Sequence, residues 1–297
     1  MPTESDTSDK SAVEAGGLPP LLVASDIDGT FINSRDRVTP RLRQAVARML
    51  RRGTPLVLAT GRPPRWMYPV LDQLVVKPMC VCANGAIIYD AQQDKIIQAN
   101  TLAPETMHSV VAAAREAVAH AGRGGECQPL VGVAVERAGK SALDAAEELF
   151  VVSPTYDHAW ESLEHGIVAE EEVLGVPATK LLLRNPTMTS EELFDIVNPA
   201  IDPEQAHVTY SMPDGLLEVS APGVTKRVGL EYIAELVGAT PQDVVCFGDM
   251  PNDVEMLTWA GLGVAMGNAA EVVKAAADEV TASNDEDGVA RVLERWF

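Results

Sequence analysis

Short apolar runs alternate with amphipathic segments along most of this chain. The runs Leu21–Ala24, Pro55–Ala59 and Val244–Phe247 each end at a polar turn that contains glycine. Runs of this length are typical of buried strands, whereas apolar residues repeated every three or four positions indicate helices. Strands and helices that alternate in this way predict βαβ units and a mostly parallel sheet, and therefore an α/β fold.

The segment after the first run predicts a helix with defined ends. Thr39 is a good N-cap residue, Pro40 suits the first helical position, and Gly53 is a common helix terminator. The elements predicted next are the strand Leu56–Ala59, a helix around Arg65–Leu74 and the strand Met79–Ala83.

The middle of the chain has a different rhythm, which predicts a second domain inserted into the first. We assign residues 88–220 to this insert, residues 21–87 and 221–297 to the core, and residues 1–20 to a disordered leader. The elements predicted around and within the insert are Ile87–Tyr89, Lys95–Gln98, Pro104–His120, Trp160–Val173, Lys180–Arg184, His207–Met212 and Leu216–Ser220. The core then resumes with Thr225–Leu236, Val244–Phe247 and a final helix around Val289–Phe297.

Composition agrees with a globular protein of about two domains. The chain has 297 residues, of which 46% are hydrophobic, and a formal charge of −20. It has no apolar stretch long enough to span a membrane and no secretory signal pattern, so we expect a cytoplasmic protein with no membrane partner. The negative charge disfavours a nucleic-acid partner, because binding a phosphate backbone needs clustered Lys and Arg. The oligomeric state stays open.

Asp26 and Asp28 directly follow the first apolar run and carry the clearest chemical signal. If the strand continues through them, both side chains lean the same way, and Gly29 then allows a sharp turn with backbone N–H groups free for an anion. One carboxylate can attack phosphorus while the other handles the proton. A calcium loop is excluded, because Phe31 and Arg37 stand where its glycine and bidentate Glu belong. A solvated acidic turn is the other interpretation.

Three further fragments follow in a fixed order, each at the end of a predicted strand or the start of a predicted helix. Ligands of open α/β sheets gather at the carboxyl ends of the strands, where Asp26, Asp28, Thr60, Asn84 and Asp249 fall. The fragments are Thr60-Gly61-Arg62, Lys226 within Gly223–Lys226, and Gly248-Asp249 with Asn252-Asp253.

The pair Asp26 and Asp28 and these three fragments, in this order, resemble the four motifs of the haloacid dehalogenase (HAD) superfamily of phosphohydrolases. Those motifs are an Asp-x-Asp pair, a Ser or Thr, a Lys, and an acidic Gly-Asp loop. The stretches Asn84–Ala86, Gly263–Ala269 and Thr281–Val289 resemble its Cof-type branch. The resemblance covers the two ends of the chain closely and the middle loosely. It implies a Rossmann-like, HAD-like core with a mostly parallel sheet plus an inserted α/β cap domain.

The resemblance implies a role for each motif residue. Asp26 would be the nucleophile that forms an aspartyl-phosphate, and Asp28 would serve as general acid and then general base. A cation is needed where several carboxylates meet a phosphate dianion, and an oxygen-lined site that keeps waters suits Mg²⁺. The residues expected to hold phosphate oxygens are Gly29, Thr30, Thr60, Gly61 and Lys226.

The family pattern implies Asp26 and Asp249 as side-chain metal ligands, with Asp253 as the alternative to Asp249, and the Asp28 carbonyl as a third ligand. Asn252 and Asp253 would steady the loop or the waters of the metal, and they equally suit caps of the helix that Pro251 starts. Arg62, Asn84 and Asn268 are expected at the rim of the substrate site. Arg62 equally suits an ion pair, and both asparagines equally suit turns.

The expected function is that of a Mg²⁺-dependent phosphatase acting on a small phosphorylated metabolite, with sugar phosphates first. The cap would close over the core and read the leaving group. One alternative is a phosphomutase of the same fold, which the large insert disfavours. The other is a catalytically idle module that binds a phosphorylated ligand. Such modules usually lack a motif carboxylate or the Lys, and this sequence has all of them.

Overall fold

The computed structural model describes residues 17–122, 131–158 and 164–297, so almost all of the predicted leader lies outside the described residues. The described strands, in chain order, are β1 (Leu22–Ser25), β2 (Leu56–Ala59), β3 (Met79–Cys82), β4 (Ile87–Asp90), β5 (Lys95–Ala99), β6 (Gly132–Glu136), β7 (Phe150–Val152), β8 (Gly166–Ile167), β9 (Lys180–Arg184), β10 (His207–Thr209), β11 (Leu216–Ser220), β12 (Val244–Gly248), β13 (Leu262–Ala265) and β14 (Glu279–Val280). The described α-helices are α1 (Pro40–Arg51), α2 (Tyr68–Leu71), α3 (Pro104–His120), α4 (Ala146–Leu149), α5 (Glu170–Leu174), α6 (Ser190–Val197), α7 (Lys226–Val237), α8 (Val254–Trp259), α9 (Glu271–Ala276) and α10 (Gly288–Leu293). Among these helices none has the length and apolar character that crossing a bilayer requires.

The chain divides into two compact units, residues 1–58 with 230–297 and residues 59–229. In the first unit the strands lie in the order β14-β13-β12-β1-β2, and each neighbouring pair is parallel. Strands β1, β2 and β12 are buried along their whole length, which explains their continuous apolar sequences. Ser25 is paired with Phe247, so the chain leaves β1 and β12 at the same edge of the sheet.

Helix α1 begins as the sequence predicts. The Thr39 hydroxyl accepts a hydrogen bond from the Leu42 backbone N–H at 3.1 Å, and Pro40 occupies the first helical position. Gly53, which follows the helix, has a φ of 89°. Both ends therefore depend on the local chemistry that predicted them.

The second unit holds two sets of strands. Strands β3, β4 and β5 form successive antiparallel pairs. A six-stranded sheet has the order β10-β11-β9-β6-β7-β8, and its pairs are antiparallel except for β7 with β8. The predicted α/β class, with a mostly parallel core sheet and a second α/β element, is confirmed, and the second sheet is mixed. The predicted boundary of the insert, residues 88–220, stays a prediction.

The two faces of the six-stranded sheet differ in chemistry. Val133, Val135, Leu181, Leu183 and Leu217 belong to one hydrophobic core together with residues of α3 and α6. Side chains alternate along each strand, so the residues between them lie on the opposite face. We call this opposite face the charged face, because it carries Glu136, Lys180, Arg184 and Glu218.

Most of the predicted elements are present, and helix α3 has the predicted bounds, but two predicted helices are helical over only part of their predicted range. The predicted helix Arg65–Leu74 is a short 3₁₀ turn at Pro64–Trp66 followed by α2, because Pro69 lacks the N–H that a continuous helix needs. Within the predicted helix Trp160–Val173, residues 160–163 lie outside the described residues. Gly166 and Ile167 form a strand that pairs with β7, so only α5 is helical there.

Candidate active site

The acidic stretch Asp26–Thr30 forms a tight turn at the end of β1. The strand ends at Ser25, and the backbone N–H of Ile32 donates to the Ile27 carbonyl at 3.0 Å, which closes the turn. Asp26 is buried, whereas Asp28 is exposed. Strand β1 ends at Ser25, before either carboxylate, so the expectation that strand alternation aligns the two side chains stays a prediction.

Position 29 requires a glycine for two reasons, its backbone conformation and the closeness of Asp249. Its φ is 75°, a conformation that favours glycine, and a Cβ atom there would lie 2.3 Å from Oδ2 of Asp249. The Thr30 hydroxyl donates to Oδ1 of Asp249 at 2.7 Å. Thr30 was predicted to bind phosphate, and this contact gives its side chain a second task, which is to orient the Asp249 carboxylate.

Asp253 organises the loop that follows β12. Its Oδ2 accepts hydrogen bonds from the backbone N–H groups of Asp249 at 2.9 Å and Met250 at 3.0 Å, and its side chain is completely buried. A Cβ on Gly248 would lie 2.5 Å from the Asp253 Cβ, so the loop closes only over a glycine. These contacts agree with the predicted loop-steadying role of Asp253.

Three buried carboxylates meet at this edge of the sheet. Asp26, Asp249 and Asp253 each offer one oxygen, and these oxygens lie within 4.8 Å of one another. Unscreened carboxylates this close repel each other strongly, so the cluster fits a bound cation. The all-oxygen donor set is the kind that Mg²⁺ prefers. Asp249 and Asp253, which the sequence offered as alternatives, both lie in the cluster with Asp26.

Asn268 supports the same acidic turn. Its Nδ2 donates to the Gly29 carbonyl at 2.8 Å, and its Oδ1 accepts from the Asn284 backbone N–H at 3.0 Å. Asn268 was predicted at the substrate rim or in a turn. Its contacts tie the Gly29 backbone to the segment that contains Asn284, and this contact between distant segments was not visible in the sequence.

The second unit contains the Thr60 and Lys226 motifs. The Thr60 hydroxyl accepts from the Arg62 backbone N–H at 3.1 Å, and the Asn84 backbone N–H donates to the Thr60 carbonyl at 3.0 Å. Thr60 is 1% exposed and Lys226 is 2% exposed. Arg62 donates from Nη1 to the Trp66 carbonyl at 3.3 Å, so part of its guanidinium serves the local loop.

A buried charged network lies on the charged face and reaches the Thr60–Arg62 loop. Lys180 Nζ donates to the Gly61 carbonyl at 2.8 Å and to Glu218 Oε2 at 2.5 Å. Asn84 Nδ2 donates to the same Glu218 oxygen at 2.7 Å, and the Ser211 hydroxyl donates to Glu218 Oε1. Asn84 was predicted at the substrate rim, and its amide here serves a buried carboxylate.

The pKa of Glu218 is lowered by this network. Burial alone raises the pKa of this carboxyl, but the Lys180 charge, hydrogen bonds from Lys180 and Ser211, and the Lys226 charge together lower it below its ordinary value. A second buried pair, Arg65 with Glu136, lies on the same face and is joined by two hydrogen bonds.

Sequence reasoning missed Lys180 and Glu218, although a signal was present. Both sit within apolar strand sequences, at positions where alternation predicts a buried face. Buried charges are paired or bind an ion, so a charged residue inside such a strand indicates a partner. The sequence alone does not say which partner it is.

A family model described as haloacid dehalogenase-like hydrolase matches residues 23–293. The chain is 29% identical over 295 residues to the 5-amino-6-(5-phospho-D-ribitylamino)uracil phosphatase YitU of Bacillus subtilis (strain 168), with 94% of this chain and 98% of that protein covered. It is 27% identical over 248 residues to the HMP-PP phosphatase of Cronobacter sakazakii (strain ATCC BAA-894), with 84% of each covered.

Solved structures give the same picture of the fold. A haloacid dehalogenase-like hydrolase from Bacteroides thetaiotaomicron is 28% identical with a TM-score of 0.68, and the match covers 93% of this chain and 99% of that chain. A HAD subclass IIB sugar phosphatase has a TM-score of 0.70 at 24% identity, with 92% of this chain and 97% of that chain covered. The second likeness concerns the fold alone.

Proposed function

The chain belongs to the haloacid dehalogenase-like hydrolase family and is a phosphatase, and from that premise we propose that it hydrolyses a small phosphorylated metabolite, a sugar phosphate first, with Mg²⁺ and through an aspartyl-phosphate on Asp26. The observation that carries the proposal is the buried cluster of Asp26, Asp249 and Asp253, whose oxygens lie within 4.8 Å of one another. A nucleophilic carboxylate beside a cation site is the chemistry that phosphoryl transfer requires.

The proposed reaction has two steps, and Asp26 is covalently modified in the first. An Asp26 oxygen attacks phosphorus, the bond between phosphorus and the leaving oxygen breaks, and Asp28 gives its proton to that oxygen. A water then attacks phosphorus, Asp28 takes the water's proton, and the bond to Asp26 breaks to release phosphate. The exposed position of Asp28 supports this role, because it must exchange a proton with substrate and water.

The remaining motif residues are assigned to binding the phosphate group and the metal ion. Thr60, Gly61 and Lys226, with the backbone amides of Gly29 and Thr30, are assigned to the phosphate oxygens. Asp26, Asp249 and the Asp28 carbonyl would hold Mg²⁺, with Asn252 and Asp253 supporting them. When bound, Mg²⁺ offsets the negative charge on the phosphate.

Phosphate release from a panel of esters, with Mg²⁺ and with EDTA, tests the proposal. The panel contains sugar phosphates, phosphoglycolate, nucleotides, pyridoxal phosphate and 5-amino-6-(5-phospho-D-ribitylamino)uracil, the compound in the name of the Bacillus subtilis relative. Asp26→Asn serves as the blank. Release that needs Mg²⁺ and Asp26 supports the proposal. Phosphate returned to another position of the substrate would favour a mutase, and a folded protein that binds but never turns over would favour the idle module.

A further inference from the structure

Two asparagines hold the turn that carries Asp28. Asn268 Nδ2 donates to the Gly29 carbonyl at 2.8 Å, and Asn284 Nδ2 donates to the Ile32 carbonyl at 3.0 Å. The two asparagines are joined to each other, because the Asn284 backbone N–H donates to Asn268 Oδ1 at 3.0 Å. We call Asn268 and Asn284 the asparagine pair. The pair therefore holds two carbonyl groups of one turn, and one member orients the other.

The fold brings the asparagine pair together through two neighbouring strands. Strands β13 and β14 are parallel, so the loops that follow them leave the sheet at the same edge. The Gly267 backbone N–H donates to the Ala282 carbonyl at 3.1 Å, which joins the two loops. A Cβ on Gly267 would lie 2.9 Å from the Ser283 backbone nitrogen, so the loops meet only over a glycine. The next residues along the two loops are Asn268 and Asn284, which therefore lie side by side.

The turn needs an external anchor because it contains a glycine. Asp28 has φ −78° and ψ 123°, and Gly29 has φ 75° and ψ −1°, values typical of a type II turn. Asp249 leaves no room for a Cβ at position 29, but glycine also leaves the backbone free to rotate. The hydrogen bond from Asn268 restrains the peptide group that joins Gly29 to Thr30. The anchor therefore limits the freedom that the required glycine brings.

Asp28 depends on this backbone for its position. Its side chain is exposed, and Gly29 follows it directly in the chain. A general acid must lie within hydrogen-bond reach of the leaving oxygen, at about 2.6–3.2 Å. A misplacement of about 1 Å can lower a rate about a hundredfold. A loosened turn should therefore slow proton transfer more than it weakens substrate binding.

We propose that Asn268 and Asn284 are positioning residues, which hold Asp28 in place for proton transfer to the leaving oxygen. The proposal deepens the proposed function and rests on it, because it adds two residues to the same site. Asn268 acts through the Gly29 carbonyl, which gives it a task other than the substrate contact expected from the sequence. Asn284 acts through Asn268 and through the Ile32 carbonyl.

Two esters that differ in their leaving groups test the proposal. The alcohol that leaves from glucose 6-phosphate needs a proton, whereas the phenolate that leaves from p-nitrophenyl phosphate is stable with little help from an acid. The kcat/KM of each ester reports the step in which Asp28 gives its proton. General acid catalysis contributes about 10²–10⁴-fold, and the acid is here misplaced rather than removed.

Asn268→Ala should therefore lower kcat/KM for glucose 6-phosphate at least about tenfold and for p-nitrophenyl phosphate less than about threefold. Asn284→Ala should lower the ratio of the two values in the same direction, by about threefold, because the bond to Gly29 remains. A direct substrate contact by Asn268 would leave Asn284→Ala at the wild-type ratio. That result would overturn the proposal.

Asp285→Ala is the matched control. Asp285 follows Asn284, and its Oδ1 accepts from the Ser34 backbone N–H at 2.9 Å, so it joins the same two segments outside the turn. It should leave the ratio of the two kcat/KM values unchanged. All three variants should melt within about 3 °C of the wild-type protein. Equal losses of kcat/KM on both esters with a lower melting temperature would show a merely structural role and would overturn the proposal.

The two proposals can fail separately. Hydrogen exchange of the amides of residues 27–32 needs no turnover. In the Asn268→Ala protein these amides should exchange at least about threefold faster than in the wild-type protein, and in Asp285→Ala at the wild-type rate. Faster exchange without phosphate release from any ester would contradict the proposed function and support the anchoring of the turn. Unchanged exchange would overturn the role of the asparagine pair even in an active phosphatase.

Discussion

Lys180 and Glu218 form an ion pair at 2.5 Å within the second unit, and both side chains are less than a tenth exposed. The same ammonium group donates to the Gly61 carbonyl at 2.8 Å. One buried cation therefore neutralises a carboxylate and fixes the backbone of the loop to which we assign phosphate binding. The pair joins strands β9 and β11 to that loop, so its loss should affect both stability and the shape of the loop.

Replacing Lys180 tests the energetic weight of this pair. Lys180→Met leaves the Glu218 charge buried and uncompensated, so we expect the free energy of unfolding to fall by about 3–5 kcal/mol in urea titrations. Lys274→Met is the control, because Lys274 pairs with the exposed Glu271 and should change stability by less than about 1 kcal/mol. Equal effects of the two variants would contradict the role given to the pair.

Acidification should weaken the same pair. The folded pKa of Glu218 lies below its ordinary value of 4.5, so its stabilising contribution is present above pH 4.5 and is lost as the pH falls through the folded pKa. The stability difference between the wild-type protein and Glu218→Gln should be largest near pH 7 and shrink below about pH 4.5. Urea midpoints measured from pH 7 to pH 3.5 check this, and a difference that stays constant would refute it.

The carboxylate cluster predicts an effect of metal on stability. Asp26→Asn removes one of three buried neighbouring carboxylates, so in EDTA it should melt at a temperature equal to or above that of the wild-type protein. Saturating Mg²⁺ should raise the melting temperature of the wild-type protein, because a hundredfold excess over Kd adds about 2.7 kcal/mol to the free energy of unfolding. The same Mg²⁺ concentration should raise the melting temperature of the Asp26→Asn protein by less. Equal rises in both proteins would argue against Asp26 as a ligand.

Thr30 should support catalysis through Asp249. Thr30→Val removes the 2.7 Å hydrogen bond to Oδ1 of Asp249. A hydrogen bond to a charged group contributes about 1.5–3 kcal/mol of stabilisation. We expect kcat to fall at least about tenfold and the apparent Mg²⁺ affinity to weaken. Thr258→Val is the control, because its hydroxyl bonds only to helix carbonyls of Val254 and Glu255 among the described residues. It should keep wild-type values of kcat and Mg²⁺ affinity.

Gly29 should tolerate no side chain. A Cβ at this position meets Asp249 Oδ2 at 2.3 Å, whereas a Cβ on Gly53, which also has positive φ, meets nothing within 4 Å. Gly53→Ala should therefore cost only the backbone strain of about 1–2 kcal/mol. Gly29→Ala should cost more and should also abolish metal-dependent activity. Urea unfolding and phosphate release of the two variants measure the difference, and comparable losses would show that strain alone matters.

The amino-acid sequence by itself determined the class of the fold and the motif residues. Strands β1, β2 and β12 are buried on both sides, so each is a continuous apolar run that can be identified without any knowledge of its neighbours. The chain must then turn at the end of each strand, and the residues of those turns are the motif residues. The ends of helix α1 were predictable for the same reason, since capping acts within a few residues.

Only the tertiary structure decided which side chains meet. Asp253 joins Asp26 and Asp249 because β1 and β12 are adjacent in the sheet, and no pattern within either segment states that pairing. Lys180 contacts Glu218 because strands β9 and β11 are neighbours in the mixed sheet. It also contacts Gly61, which lies in a loop more than a hundred residues away in sequence. Local sequence controls backbone conformation over a few residues, whereas the pairing of buried charges depends on which distant segments share a face.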